Sequence, residues 1–152
     1  MSLRDQFPEQ MKVSMKAGTS ARTSTIRMIM ARLKDIDIAA RPKGIDKVPE
    51  EDVQSMLRGM IKSRRESIDL YKQGNRPELV AKEEAEIEVI ESFLPQQMDD
   101  AAMAQAVADA VAATGAASIK EMGKVMAELR AKHAATLDMA KAGPMVKARL
   151  SA

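Results

Sequence analysis

Cysteine is absent from these 152 residues and histidine occurs once, at His133. A thiolate nucleophile, a disulfide, a zinc ribbon and a His–His metal site are therefore excluded. His133 itself is expected at a helix end on the surface, where a cation suits the dipole. No G-x-x-x-x-G-K-[ST], G-x-G-x-x-G or G-x-S-x-G run occurs, and Gly123-Lys124 lacks the glycine-rich loop that would cradle phosphate. The five acids Glu83, Glu84, Glu86, Glu88 and Glu91 could supply a carboxylate pair, but one helix this acidic is usually a solvated face. No catalytic residue, metal or cofactor is assigned.

What remains is charge. Lys and Arg number 24 against 22 Asp and Glu, so the total says little about a polyanionic partner. The distribution says more: between Lys12 and Lys34 there are six basic residues and no acid. Arg27, Lys34 and Arg41 are seven apart, as are Arg58, Arg65 and Lys72. On a helix a seven-residue repeat drifts by only about 20° per step, so each trio makes one row beside the apolar face. Two such rows suit a phosphate backbone. The plainer alternative is a pair of solvated flanks whose long stems cover the edges of a core.

Three charges fall on apolar faces instead. Arg22 and Arg64 do so on the second and third expected helices, and Glu83 on the fourth. A half-buried Arg needs a carboxylate, so these three are expected to form a structural ion network.

The elements that would carry these residues read as helices throughout, since no alternating strand pattern appears. Phe7, Met11 and Met15 mark a helix over about 5–17, stopped by Gly18. Ile26, Ile29, Met30, Leu33 and Ile36 mark a second, capped by Thr19 or Ser20 and ended at Arg41-Pro42. Pro49 opens a third, with Val53, Leu57, Met60, Ile61, Ile68 and Tyr71 inward. Pro77 opens a fourth, reaching Leu94. The all-α fold expected is thus a four-helix bundle-like domain over residues 1–94.

At Pro95 the composition changes. Eighteen of the 25 Ala residues lie between Ala101 and Ala152, and no aromatic follows Phe93. Asp99 or Asp100 is expected to cap a fifth helix, and Ser118 with Glu121 to form a capping box for a sixth. Gly143-Pro144 is expected to start a short last helix. Residues 95–152 would then form a small three-helix tail domain with a thin core.

The run Arg22-Thr23-Ser24-Thr25-Ile26-Arg27 and the run Lys62-Ser63-Arg64-Arg65-Glu66-Ser67-Ile68 resemble the YqeY-like proteins. The likeness continues through Lys82-Glu83-Glu84-Ala85-Glu86-Ile87-Glu88-Val89-Ile90, Phe93-Leu94-Pro95-Gln96-Gln97 and Gly123-Lys124-Val125-Met126. Those proteins are in turn similar to the tail region of the B subunit of the glutamine-dependent aspartyl/glutamyl-tRNA amidotransferase, which helps to hold tRNA. The resemblance implies a helical domain followed by a three-helix tail, and tRNA as partner. It also implies association with an aminoacyl-tRNA synthetase or with amidotransferase subunits. Lys120, Lys124, Lys141 and Lys147 of the tail join the two rows as expected nucleic-acid contacts.

A second reading makes the chain a component of a carbon–nitrogen ligase using glutamine as amido-N-donor. A third makes it an adaptor whose Met-rich faces dock a partner helix. With no apolar run of membrane-spanning length and no leader-like start, a cytosolic protein without a membrane partner is expected.

Overall fold

Ser2 opens the first helix: its hydroxyl accepts from the Asp5 amide at 3.2 Å. The helix, α1, runs Leu3–Lys16, two residues earlier than its apolar spacing suggests. Leu3 and Phe7 are buried, but Met15 is 54 % exposed and Ser14 takes the inward place beside the turn. Gly18 supplies φ +73° there. Ser14 Oγ lies 2.7 Å from Thr19 Oγ1 and 2.8 Å from Thr23 Oγ1, so three hydroxyls staple α1 to the next helix. Thr19 stands at the N-cap, yet its side chain donates back to the Ser14 carbonyl rather than capping.

The computed structural model describes residues 1–151, which hold seven α-helices and no strand, the all-α fold expected. After α1 come α2 (Ser20–Ala40), α3 (Glu50–Gln73), α4 (Pro77–Glu91), α5 (Asp100–Thr114), α6 (Met122–His133) and α7 (Met139–Ser151). The chain separates into two compact units at the Leu94–Pro95 step.

In the first unit α3 runs along α4, while α2 packs on α1 and α4 and touches α3 sparingly. Phe7, Ile26, Ile29, Val53, Leu57 and Ile90 are its fully buried centre. Each such side chain contributes about 1.5–3 kcal/mol by leaving water. Phe7 and Phe93 meet edge to face with centroids 5.0 Å apart. Phe93 does so from beyond the end of α4, which stops at Glu91 rather than Leu94.

The second unit gathers Met103, Val107, Val125, Leu129, Val146 and Leu150, with the alanines Ala106, Ala110 and Ala142 among them. Leu137, between α6 and α7, is wholly buried. Asp99 caps α5 through the Ala102 amide at 2.8 Å. The expected capping box is altered: Glu121 accepts from the Ala117 amide, Ser118 makes no capping bond, and a 3-10 turn over Ile119–Glu121 precedes α6. The last helix starts before Gly143-Pro144, because the Asp138 side chain accepts from the Ala140 amide and begins it at Met139. Pro144 sits in its second turn, where only the bond to the Ala140 carbonyl is lost.

Candidate nucleic-acid interface

The ion pairs decide which cations are available. Around α3 and α4 the arginines Arg64, Arg65 and Arg76 are taken, whereas Lys62, Lys72 and Lys82 are exposed. Arg64 Nε donates to Glu86 Oε2 at 2.9 Å and lies 3.9 Å from Glu83, all three side chains being largely buried. Arg65 reaches Glu91 at 3.1 Å in an exposed pair, and Arg76 holds Glu78 at 2.6 Å. Arg58 is half-buried and Lys72 exposed.

The expected Arg22–Arg64–Glu83 network is thereby corrected in two places. Glu86, three residues on from Glu83, is the main carboxylate on Arg64. Arg22 stands apart from that pair: its guanidinium lies 5.7 Å from the Phe93 ring centroid, with a 3.5 Å contact to Gln10 Oε1. An aromatic face and an amide satisfy this cation without a second carboxylate.

A second buried pair was not anticipated. Arg4 grips Asp37 through both guanidinium nitrogens, at 2.6 and 3.0 Å, and also donates to the Val48 carbonyl at 2.9 Å. Asp37 accepts from the Val48 amide at 2.9 Å. The Arg4 hydrogen bond, with help from Val48, holds the Asp37 carboxyl below the usual aspartate range despite burial. The Leu3 amide donates to Glu50, so the starts of α1 and α3 and the end of α2 are tied at one end of the unit. Sequence carried half of this signal: Asp37 follows Leu33 by four and so lies on the apolar face of α2.

The row on α2 differs in kind. Arg27, Lys34 and Arg41 are exposed and make no ion pair among the described residues, and the same holds for Lys12, Lys16 and Arg32. Arg41 sits in a 3-10 turn, Arg41–Lys43, that continues α2. Residues 1–48 carry ten Lys and Arg against five Asp and Glu, whereas residues 50–91 carry seven against eleven. One part of the unit is therefore net basic and the other net acidic.

In the second unit Lys120, Lys124, Lys141 and Lys147 are all exposed, and helix geometry turns Lys124 and Lys141 to different sides from Lys147. Met122 of α6 approaches Gly143 of α7, its Cε 4.0 Å from where a Cβ would stand. Lys124 is two residues past Met122, about 160° round the helix and so turned from α7. Lys147 is four residues past Gly143 and stays near that contact face, while Lys141 is about 120° away from Lys147. His133 ends α6, half-buried.

An open groove of about 940 Å³ separates α2 and α3. Met28, Ala31, Met56, Gly59 and Met60 line it, with Arg32, Asp35, Lys43 and Asp52 also contributing. No group of three His, Cys, Asp or Glu among the described residues is placed to hold a metal ion. No single described helix is long and apolar enough to cross a membrane.

The family model described as Yqey-like protein matches residues 4–150. Among curated proteins, the chain is similar to altered inheritance of mitochondria protein 41, mitochondrial, of three yeasts. The Lachancea thermotolerans protein is 35 % identical over 88 residues, 58 % of this chain and 46 % of the relative. The Eremothecium gossypii protein is 32 % identical over 114 residues, 75 % of this chain and 57 % of the relative. The Saccharomyces cerevisiae (strain YJM789) protein is 30 % identical over 86 residues, 57 % and 45 %. The chain thus spans about half the length of the curated relatives it matches. Their names place them in mitochondria, which overturns the cytosolic expectation drawn from composition.

Proposed function

The chain belongs to the Yqey-like protein family, and from that premise we propose that it is a tRNA-binding accessory module linked to tRNA-dependent amidotransfer. The observation that carries this reading is the set of exposed cations on the first two helices and the turn that continues α2, Lys12, Lys16, Arg27, Arg32, Lys34 and Arg41, none of them in an ion pair among the described residues. Long cations on rigid helices grip phosphates without reading bases. The aromatics are few, and Phe7 and Phe93 are buried in the core, so base stacking has little to work with. The similarity of YqeY-like proteins to the amidotransferase tail supports tRNA as the polyanion. Lys120, Lys124, Lys141 and Lys147 would add contacts from the second unit.

Titration with bulk tRNA over a salt series tests this. If about four to six phosphates are engaged, the log–log slope should lie near −3 to −5. Absence of binding at low salt would sink the reading. The ligase-component reading predicts that labelled amide transfer onto mischarged tRNA, in the presence of partner chains, requires this chain. The adaptor reading draws on the α2–α3 groove with Met28, Met56 and Met60, and predicts a protein partner whose capture is indifferent to tRNA and salt.

A further inference from the structure

We propose that the row Arg27–Lys34–Arg41 on α2 is the RNA-gripping surface and that its ligand is the backbone of double-stranded RNA, with the α3 row lying outside the interface. This rests on the tRNA reading and narrows it to one helix flank and one class of RNA structure.

The two rows look alike in sequence and differ in the folded chain. On α2 and the turn that continues it all three cations are exposed and unpaired among the described residues. On α3, Arg65 is held by Glu91, Arg58 is half-buried, and the neighbouring helix presents the carboxylates that give residues 50–91 their acidic balance. A phosphate approaching the α3 row finds Arg65 already matched by Glu91, and of its three cations Lys72 is the exposed one with no ion pair among the described residues. A phosphate approaching the α2 flank meets cations interrupted by Ala31 and the 46 % exposed Ile38, with one exposed acid, Asp35, about 100° round the helix from Lys34.

The spacing points to a stiff ligand. Seven residues advance a helix by about 10.5 Å, so the three cations span about 21 Å in a line. A duplex offers a fixed array of phosphates at that scale. A single strand must instead be straightened and usually repays the cost by stacking on aromatic rings. No aromatic residue occurs on α2. The flank lacks Asn, Gln and aromatic side chains for reading loop bases, whereas A-form RNA is recognised largely through shape and backbone.

The test uses the full chain and two labelled probes, a 20-base-pair RNA duplex and a single strand of equal length, followed by anisotropy across a salt series. Arg27→Ala/Lys34→Ala/Arg41→Ala should bind the duplex at least tenfold more weakly, with a slope shallower by about 2.7, from about 0.9 per lost phosphate contact. Arg58→Ala/Arg65→Ala/Lys72→Ala should stay within threefold of the parent. The single strand should bind at least tenfold more weakly than the duplex. Should the α2 triple variant melt early, each single variant still reports through a slope loss of about one. Loss in the α3 variant equal to or greater than that in the α2 variant would overturn the assignment of the surface while leaving RNA binding intact. Equal affinity for both probes would overturn the duplex. Failure of the parent chain to bind tRNA or either probe would remove the underlying reading and this inference together.

Discussion

The α1–α2 hairpin and the α3–α4 hairpin both carry many cations, and they use them in opposite ways. In α3–α4 the guanidinium groups of Arg64, Arg65 and Arg76 are matched by carboxylates of the following helix. In α1–α2 the buried Arg4 has its carboxylate, Arg22 lies against Phe93, and the outward cations have none. The number of basic residues is thus a poor guide to a binding surface. What decides is whether an acid falls within reach after folding.

The contrast is sharpest where a cation is buried, so the largest effect is expected at Asp37. Asp37→Ala should cost about 2–4 kcal/mol in denaturant unfolding, somewhat below a fully buried pair because the side chain keeps 13 % exposure. It strands Arg4 and the Val48 amide together. The same carboxyl sets a pH dependence. Its pKa is depressed in the folded chain, so its stabilisation is complete above the ordinary aspartate range and is lost as pH falls below about 4. Thermal unfolding between pH 5 and 2 should show that loss in the parent and a much flatter profile in Asp37→Asn.

Next come the two carboxylates around Arg64. Glu86→Ala should destabilise by about 1.5–3 kcal/mol, since a charge-assisted hydrogen bond at a largely buried site is broken. Glu83→Ala, at 3.9 Å, should cost less, about 1 kcal/mol, because Arg64 keeps its bond to Glu86. Equal losses in unfolding measurements would mean that the two carboxylates share Arg64.

The smallest effect probes the boundary between the hairpins. Glu91→Gln releases the exposed Arg65, and stability should change by under about 0.5 kcal/mol. RNA affinity at low salt should rise by about twofold if the pairing with Glu91 is what mutes the α3 row. A gain of tenfold or more would erase the distinction between the rows.

Much of the architecture was legible because glycine, proline and the capping residues punctuate it: Gly18, Pro49, Gly74, Pro77, Asp99 and Gly115 all stand at helix ends. Pro144 misled because proline favours a first turn but is also tolerated in a second, and the Asp138 cap that starts α7 lies six residues before it. The seven-residue rows were legible from periodicity alone. The partner of Arg64 was not, since Glu83 and Glu86 are separated by less than one turn and only the register between α3 and α4 selects Glu86 for it. Arg4 and Asp37 are 33 residues apart, and nothing local in either helix names the other.

The separation of basic and acidic charge within the first unit also acts before any contact forms. A body with excess cations on one hairpin and excess anions on the other has a strong electric dipole, and the field of a polyanion turns it during approach. Productive encounters are enriched because the wrong face is repelled as well as the right one drawn in. The association rate should therefore carry much of the salt sensitivity, with dissociation left to the short-range contacts.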